Sequence, residues 1–195
     1  MAQEKVTRFD DAIARFDAAH AEDPEKDASG RPAELVYAQR MSAWLAKLAP
    51  DASEALRLAV RCQHIRRWAI RRGAYPAGVA GYRRWRVDEA NSHAVTAREI
   101  LAQAGYDGAT VQRVQSLLRK EKLKQDADAQ LLENVGCLVF LENYFAPFAQ
   151  KHDEAKLVEI VRKTWRKMSP QGHAAALALK LPAPLRAIIE KALAK

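Results

Sequence analysis

Few residues in this chain have the chemistry to bind or turn over a ligand, and two histidines stand out by their spacing. His64 follows Leu56 and Val60 at four-residue intervals, and His93 shares a stripe with Arg86, Glu89, Ala97 and Ile100. At helical period both imidazoles face inward. Two inward histidines from separate segments, joined by Glu133 near the start of the most apolar stretch, form a candidate ligand set for a divalent Mn, Fe or Zn. His64 and Glu133 are in that case also the candidate general acid–base pair. The alternative is that each histidine is a core residue bonded to a neighbour such as Tyr37 or Glu89. Cys62 cannot join His64 on one ion, because residues two apart on a helix point about 200° apart. His20, His152 and His173 fall at a helix end, in a polar turn and in a short helix, and read as surface residues.

Just behind His64 the chain becomes cationic. From Glu54 to Asp88 there is no acidic residue between and no lysine, but there are nine arginines. The chain carries a net +8, so this window holds the entire excess. Guanidinium is planar and two-pronged, which suits phosphate and carboxylate better than a point charge does. Arg61, Arg66, Arg67, Arg71, Arg72 and Arg84, with Trp68 among them to stack, are the candidate ligand-binding residues. The partner they imply is an anionic small molecule or a nucleotide. RNA is a wider candidate, given the further basic runs "RKEKLK" and "RKTWRK". Against this stands a solvated surface in which arginine replaces lysine for compositional reasons.

Several function classes drop out. The sequence has no glycine-rich phosphate loop, no nucleophile elbow and no paired CxxC. No apolar run approaches the ~18 residues of a membrane span, and the N-terminal stretch lacks the pattern of a signal peptide. With 49% hydrophobic and 29% charged residues in 195, the composition is that of a globular protein. Cys62 and Cys137 both sit in apolar helical patterns, which fits two buried thiols in a reducing cytoplasm.

The elements that must position these groups are helical throughout. Phe9, Ile13, Phe16 and Ala19 mark a first helix, and a second spans about 33–48. Asp51 and Glu54 read as a capping box opening a third, which the pattern carries to about Trp68. A long helix over about 79–104 stops at Gly105, and Asp107 or Thr110 starts the next. Residues 127–150 are apolar nearly all round, the mark of a central bundle helix. Helices over about 153–168 and 182–194 complete the chain, with Ser169 as N-cap and Pro170 at the first helical position of a short helix between them. The expectation is an all-α, single-domain multi-helix bundle over 1–195, its core within about 9–168 and 169–195 a C-terminal helical extension. Homodimerisation is left open.

Five segments, "ELVYAQRMSAWL", "QHIRRW", "AGYRRWR", "LENVGCLVFLE" and "RKTWRKMSPQGHAAALAL", resemble a bacterial and fungal family known as domain of unknown function 4202. The order of elements is also similar to the HD-domain phosphohydrolases, in which histidines and aspartates hold divalent metals that activate water against phosphate esters. "AVRCQHI", "NSHAVTAREILAQAGYD" and "LLENVGCLVF" are the segments concerned, and His64 and His93 match. Tyr37 stands near the first histidine of that pattern, Ile65 replaces the aspartate, and Asn134 replaces the final aspartate. These departures favour an HD-like fold over HD-type metal chemistry. The expected function is binding of a phosphorylated or otherwise anionic ligand around His64, with catalysis open. The alternatives are a metal-dependent phosphohydrolase acting on a nucleotide or small phosphate ester, and an RNA- or protein-binding module.

Overall fold

The computed structural model describes residues 6–123 and 125–194. Among them it has ten α-helices and no β-strand, only an isolated bridge between Lys26 and Pro32. The chain resolves into two compact units, Met1–Ala129 and Gln130–Lys195.

In the first unit, α1 (Arg8–Ala21) begins at a capping box in which Thr7 and Asp10 satisfy each other's backbone amides. Asp23 then accepts from the amides of Glu25 and Glu34, which fixes the start of α2 (Ala33–Leu48). The third helix, α3 (Glu54–Cys62), is capped by Ser53 and not by Asp51. A turn bonded from Ala52 to Ala49 delays the helix, so Ser53 is the residue that reaches the amide of Leu56. It is also shorter than its apolar pattern, ending at Cys62 instead of Trp68. A continued helix would carry Arg66 and Arg67 along the stripe of the fully buried Ala59 and Val60. Instead the chain tightens into i→i+3 bonds from Cys62 onward, with Arg66 in the left-handed region at φ 52°. Ile65 thereby becomes fully buried while Arg66 stays exposed.

The irregular segment that follows is fastened to α4 (Gly78–Gln103). A Cβ at Gly81 would lie 2.0 Å from the Pro76 carbonyl oxygen, so only glycine lets the loop approach. One turn on, Trp85 donates through Nε1 to the carbonyl of Ile70, and Tyr75 donates its hydroxyl to Asp88. α4 ends with Gly105 at φ 79°, and Asp107 caps α5 (Gly108–Leu118). α3 packs against α1, α2 and α5, and α4 packs against α5 and α1. Phe16, Met41, Leu56, Leu58, Leu101 and Leu117 form the core of this unit.

The boundary between units falls within α6 (Ala127–Val139). The helical path continues through a π-turn, Phe140–Tyr144, into α7 (Phe145–Ala149). Pro147 has no N–H to return to Asn143, and the ladder widens in the turn just before it. Asp153 caps α8 (Glu154–Trp165), Ser169 caps α9 (Pro170–Leu177) with Pro170 at its start, and α10 (Ala183–Leu193) packs on α8. Cys62 and Cys137 are both buried, and no described helix is long and apolar enough to cross a membrane.

Candidate functional site

The early end of α3 turns His64 against α2 and α4. Its ring stacks on Tyr37 of α2, with centroids 4.4 Å apart and planes 12° from parallel. Its Nδ1 lies 3.6 Å from Oε2 of Glu34, one helical turn before Tyr37, and 3.4 Å from Nη1 of Arg67. His93, from α4, stands with its centroid 6.0 Å from that of His64. The Nδ1–H of His93 donates to the carbonyl of Ile65 at 2.8 Å, which leaves its Nε2 buried and without a hydrogen bond. Thus Ile65, which lacks the carboxylate of the HD pattern, orients the second histidine through its backbone.

Around this pair the polar groups are dense. Glu89, four residues before His93 on α4, has a side chain only 1% exposed and is held by Arg67 at 3.3 Å and Arg86 at 3.2 Å. His20 is fully buried, not at the surface as its position near a helix end implied, and donates Nε2–H to the carbonyl of Arg61. The α1 helix packs its last turn inward, which helical position alone does not reveal. Burial disfavours charge on all of these groups. It pushes the pKa of His93 down to about 3 and holds His64 well below its ordinary value, with Arg67 and Arg86 adding repulsion to His64. His20 is lowered for the same reason, and Glu34 and Glu89 are raised by burial against the pull of Arg67. At neutral pH the centre therefore holds uncharged imidazoles beside a fixed guanidinium.

Two cavities flank the centre and share Glu89. One, of about 430 Å³, has Gln63, His64, Glu89 and His93 in its lining together with Arg86, Arg119 and Lys120. The other, of about 530 Å³, is lined by Glu34, Arg67, Trp68, Arg71, Arg72 and Trp85 among others. The arginines of the cationic window are largely engaged. Arg61 grips Asp17 through two hydrogen bonds and also reaches Ser42, and Arg66 meets Glu22 at the surface. Arg72 donates to the carbonyls of Tyr75 and Pro76, and Arg84 lies 3.9 Å from Asp88. Arg71 and Trp68 remain on the wall of the second cavity.

Glu133 belongs to the second unit, where its buried carboxylate lies 3.7 Å from Nζ of Lys167. Asn134 is fully buried and structural. Its Oδ1 accepts from the amide of Ser169 at 2.9 Å, its Nδ2 donates to the Ser169 hydroxyl, and Gln130 donates to it in turn. Among the described residues no three His, Cys, Asp or Glu side chains are placed to hold a metal ion.

The sequence reading passed over Glu34 and Gln63, and took Arg119 and Lys120 only as part of the basic run "RKEKLK", not as neighbours of His64. Glu34 and Tyr37 share a helical face with Met41 at i, i+3 and i+7, a pattern that was there to be read. Arg119 and Lys120 lie just beyond the last helical residue of α5, with Lys120 at φ 55°, and no periodicity marks them. No curated protein and no solved structure matches the chain, so the HD likeness rests on sequence segments alone. The family model for a domain of unknown function, DUF4202, matches residues 10–189, and the chain belongs to that family.

Proposed function

We propose that the first unit is a receptor for a small oxyanion, a phosphorylated or carboxylated metabolite, bound in the cavity that His64 lines. One observation carries this reading: a concavity of about 430 Å³ sets neutral histidines beside the cationic groups of Arg86, Arg119 and Lys120. That volume falls in the range of small-molecule sites, roughly 300–1,000 Å³. A concave site of this size favours a small molecule over RNA, whose backbone needs an extended cationic track. Arg61, Arg66 and Arg72 do not line this cavity, so the weight of binding shifts from the arginine cluster behind His64 to Arg86 and Arg119, which line it while also meeting Glu89 and Asn91. Among the described residues no third donor stands with His64 and His93, so the reading routes no step through a metal. Of the two histidines that line the cavity, His93 has the hydrogen bonding of a ligand imidazole, with one nitrogen tied to a carbonyl and the other unengaged.

Calorimetric titration with inorganic phosphate and pyrophosphate tests the reading. Replacing Arg119 or Arg86 with alanine should weaken binding by about 10-fold or more, the value of one charge-assisted hydrogen bond. Raising the salt should weaken it further. An affinity unchanged in Arg119→Ala and Arg86→Ala would remove the site from this cavity. Stoichiometric Mn, Fe or Zn in the purified protein, lost in His93→Ala, would replace the reading with the phosphohydrolase one.

A further inference from the structure

We propose that the cavity takes an oxyanion whose carbon skeleton carries hydroxyl groups, with Gln63 and His93 binding the hydroxyls while Arg86 and Arg119 hold the charge. The inference rests on the oxyanion reading above and names the class of ligand. Among the described residues, the buried side-chain atoms that make no hydrogen bond are Nδ1 of His20, Oε2 of Glu34, Oε1 of Gln63, Oε1 of Glu89 and Nε2 of His93. All of them are acceptors. His20 and His93 each give their one proton to a backbone carbonyl, so the other nitrogen of each neutral ring offers a lone pair. The shortage is one-sided, in donors.

Gln63, Glu89 and His93 line the cavity, and so do the cations Arg86, Arg119 and Lys120. Gln63 and Ile65, whose carbonyl holds His93, sit two residues apart in the turn that ends α3, so one stretch of chain positions both acceptors. A fully deprotonated oxyanion meets the cations and leaves these acceptors unpaired, at a cost that a donor on the ligand would remove. An ammonium also has donors, but the lining sets three cations against the carboxylates of Glu89 and Glu121, and Glu89 is already held by Arg67 and Arg86. A hydroxyl adds no charge to that balance. It also accepts, which suits the amide of Gln63. Burial keeps His93 unprotonated at neutral pH, so its Nε2 stays an acceptor. A volume of about 430 Å³ leaves room for a short carbon skeleton beside the oxyanion.

Calorimetric titration of the intact protein with two matched pairs is the test: glycerol phosphate against propyl phosphate, and glycerate against propanoate. Within a pair the skeleton and the oxyanion are the same and only the hydroxyls differ. In at least one pair the hydroxylated member should bind about 10-fold or more tightly, and that pair identifies the oxyanion as phosphate or carboxylate. Gln63→Met removes an acceptor that has no hydrogen bond to lose, and it should narrow the preference by about 3-fold or more while the plain member binds as before. His93→Phe should do the same; should it fail to fold, Gln63→Met decides alone. A preference undiminished by these substitutions would place the hydroxyls on other groups and overturn the proposal. Equal affinities within both pairs would overturn it and leave the oxyanion reading standing, with water meeting the acceptors. Tighter binding of aminopropyl phosphate than of glycerol phosphate would overturn it in favour of an ammonium. A wild type that binds none of these ligands, nor inorganic phosphate, refutes the oxyanion reading itself.

Discussion

Asn134→Asp should lower the unfolding free energy of the protein by about 2–4 kcal/mol at pH 7, although it installs the residue that the HD pattern places there. The site is fully buried, and Asn134 uses both ends of its amide: Oδ1 receives the Ser169 amide and a Gln130 N–H, while Nδ2 donates to the Ser169 hydroxyl. A carboxylate keeps the acceptor and loses the donor, and it takes a charge out of water with no cation in the hydrogen-bond set. Its pKa would rise until the acid form becomes competitive. The protonated acid regains an O–H that can donate to Ser169. The deficit should therefore be smallest below the unfolded aspartate value of about 3.9 and grow as pH rises above it. Urea unfolding of both proteins at matched pH reads the difference. Equal stability at pH 7, or a metal acquired by the variant, would mean that Asn134 is a disabled ligand and not a structural residue.

The contacts of Asn134 also show what kind of information the sequence carried. Helix boundaries written by adjacent residues were legible: Ser169 with Pro170, Asp107 before α5, and Gly105 after α4 all act within one turn of themselves. Side-chain periodicity also located His93 on the inner face of α4. What could not be read depends on groups distant along the chain. The end of α3 at Cys62 is decided by which of Ile65, Arg66 and Arg67 the core will accept, and the helical pattern of 56–68 is silent on that. The cationic window is balanced by Asp17 and Glu22 from α1 and its C-cap, more than 40 positions away. Charge counting by segment finds an unbalanced patch where folding makes ion pairs.

The same distinction applies to the histidine centre. Each imbalance there is tolerable because another offsets it: Glu89 is almost fully buried, but two arginines hold it. Glu34 sits among His20, His64 and His93, and none of the three imidazoles is favoured to be charged. A core that stabilised only packing would place leucine at these positions, since a buried polar set costs stability unless fully bonded. Here several atoms, including Nδ1 of His20, Oε2 of Glu34 and Nε2 of His93, have no hydrogen bond. Buried polar groups left unsatisfied beside a cavity are a stability cost of the kind functional sites carry.

That cost should appear as acid lability that one substitution reduces. His93 has a folded pKa of about 3, against roughly 6.5 when unfolded. Between those values the native ring is neutral and the unfolded ring protonated, so unfolding takes up a proton. The stability His93 contributes is fully present above pH 6.5 and is lost as the pH falls toward 3, by about 1.4 kcal/mol per unit in mid-window. His20 and His64 act in the same direction. Glu34 and Glu89 act oppositely, because their raised values make the native state bind protons more tightly than the unfolded one. Subtracting the His93→Gln profile from the wild type cancels these shared contributions and isolates one ring. Glutamine can still donate to the Ile65 carbonyl but cannot be protonated. Between pH 4 and 6 its loss of stability on acidification should be smaller than the wild type's by roughly 2–3 kcal/mol in total, and above pH 7 the two slopes should coincide. Parallel slopes throughout would mean that acid opens the centre before His93 titrates, and the burial that shapes this site would then be too weak to hold its imidazoles neutral.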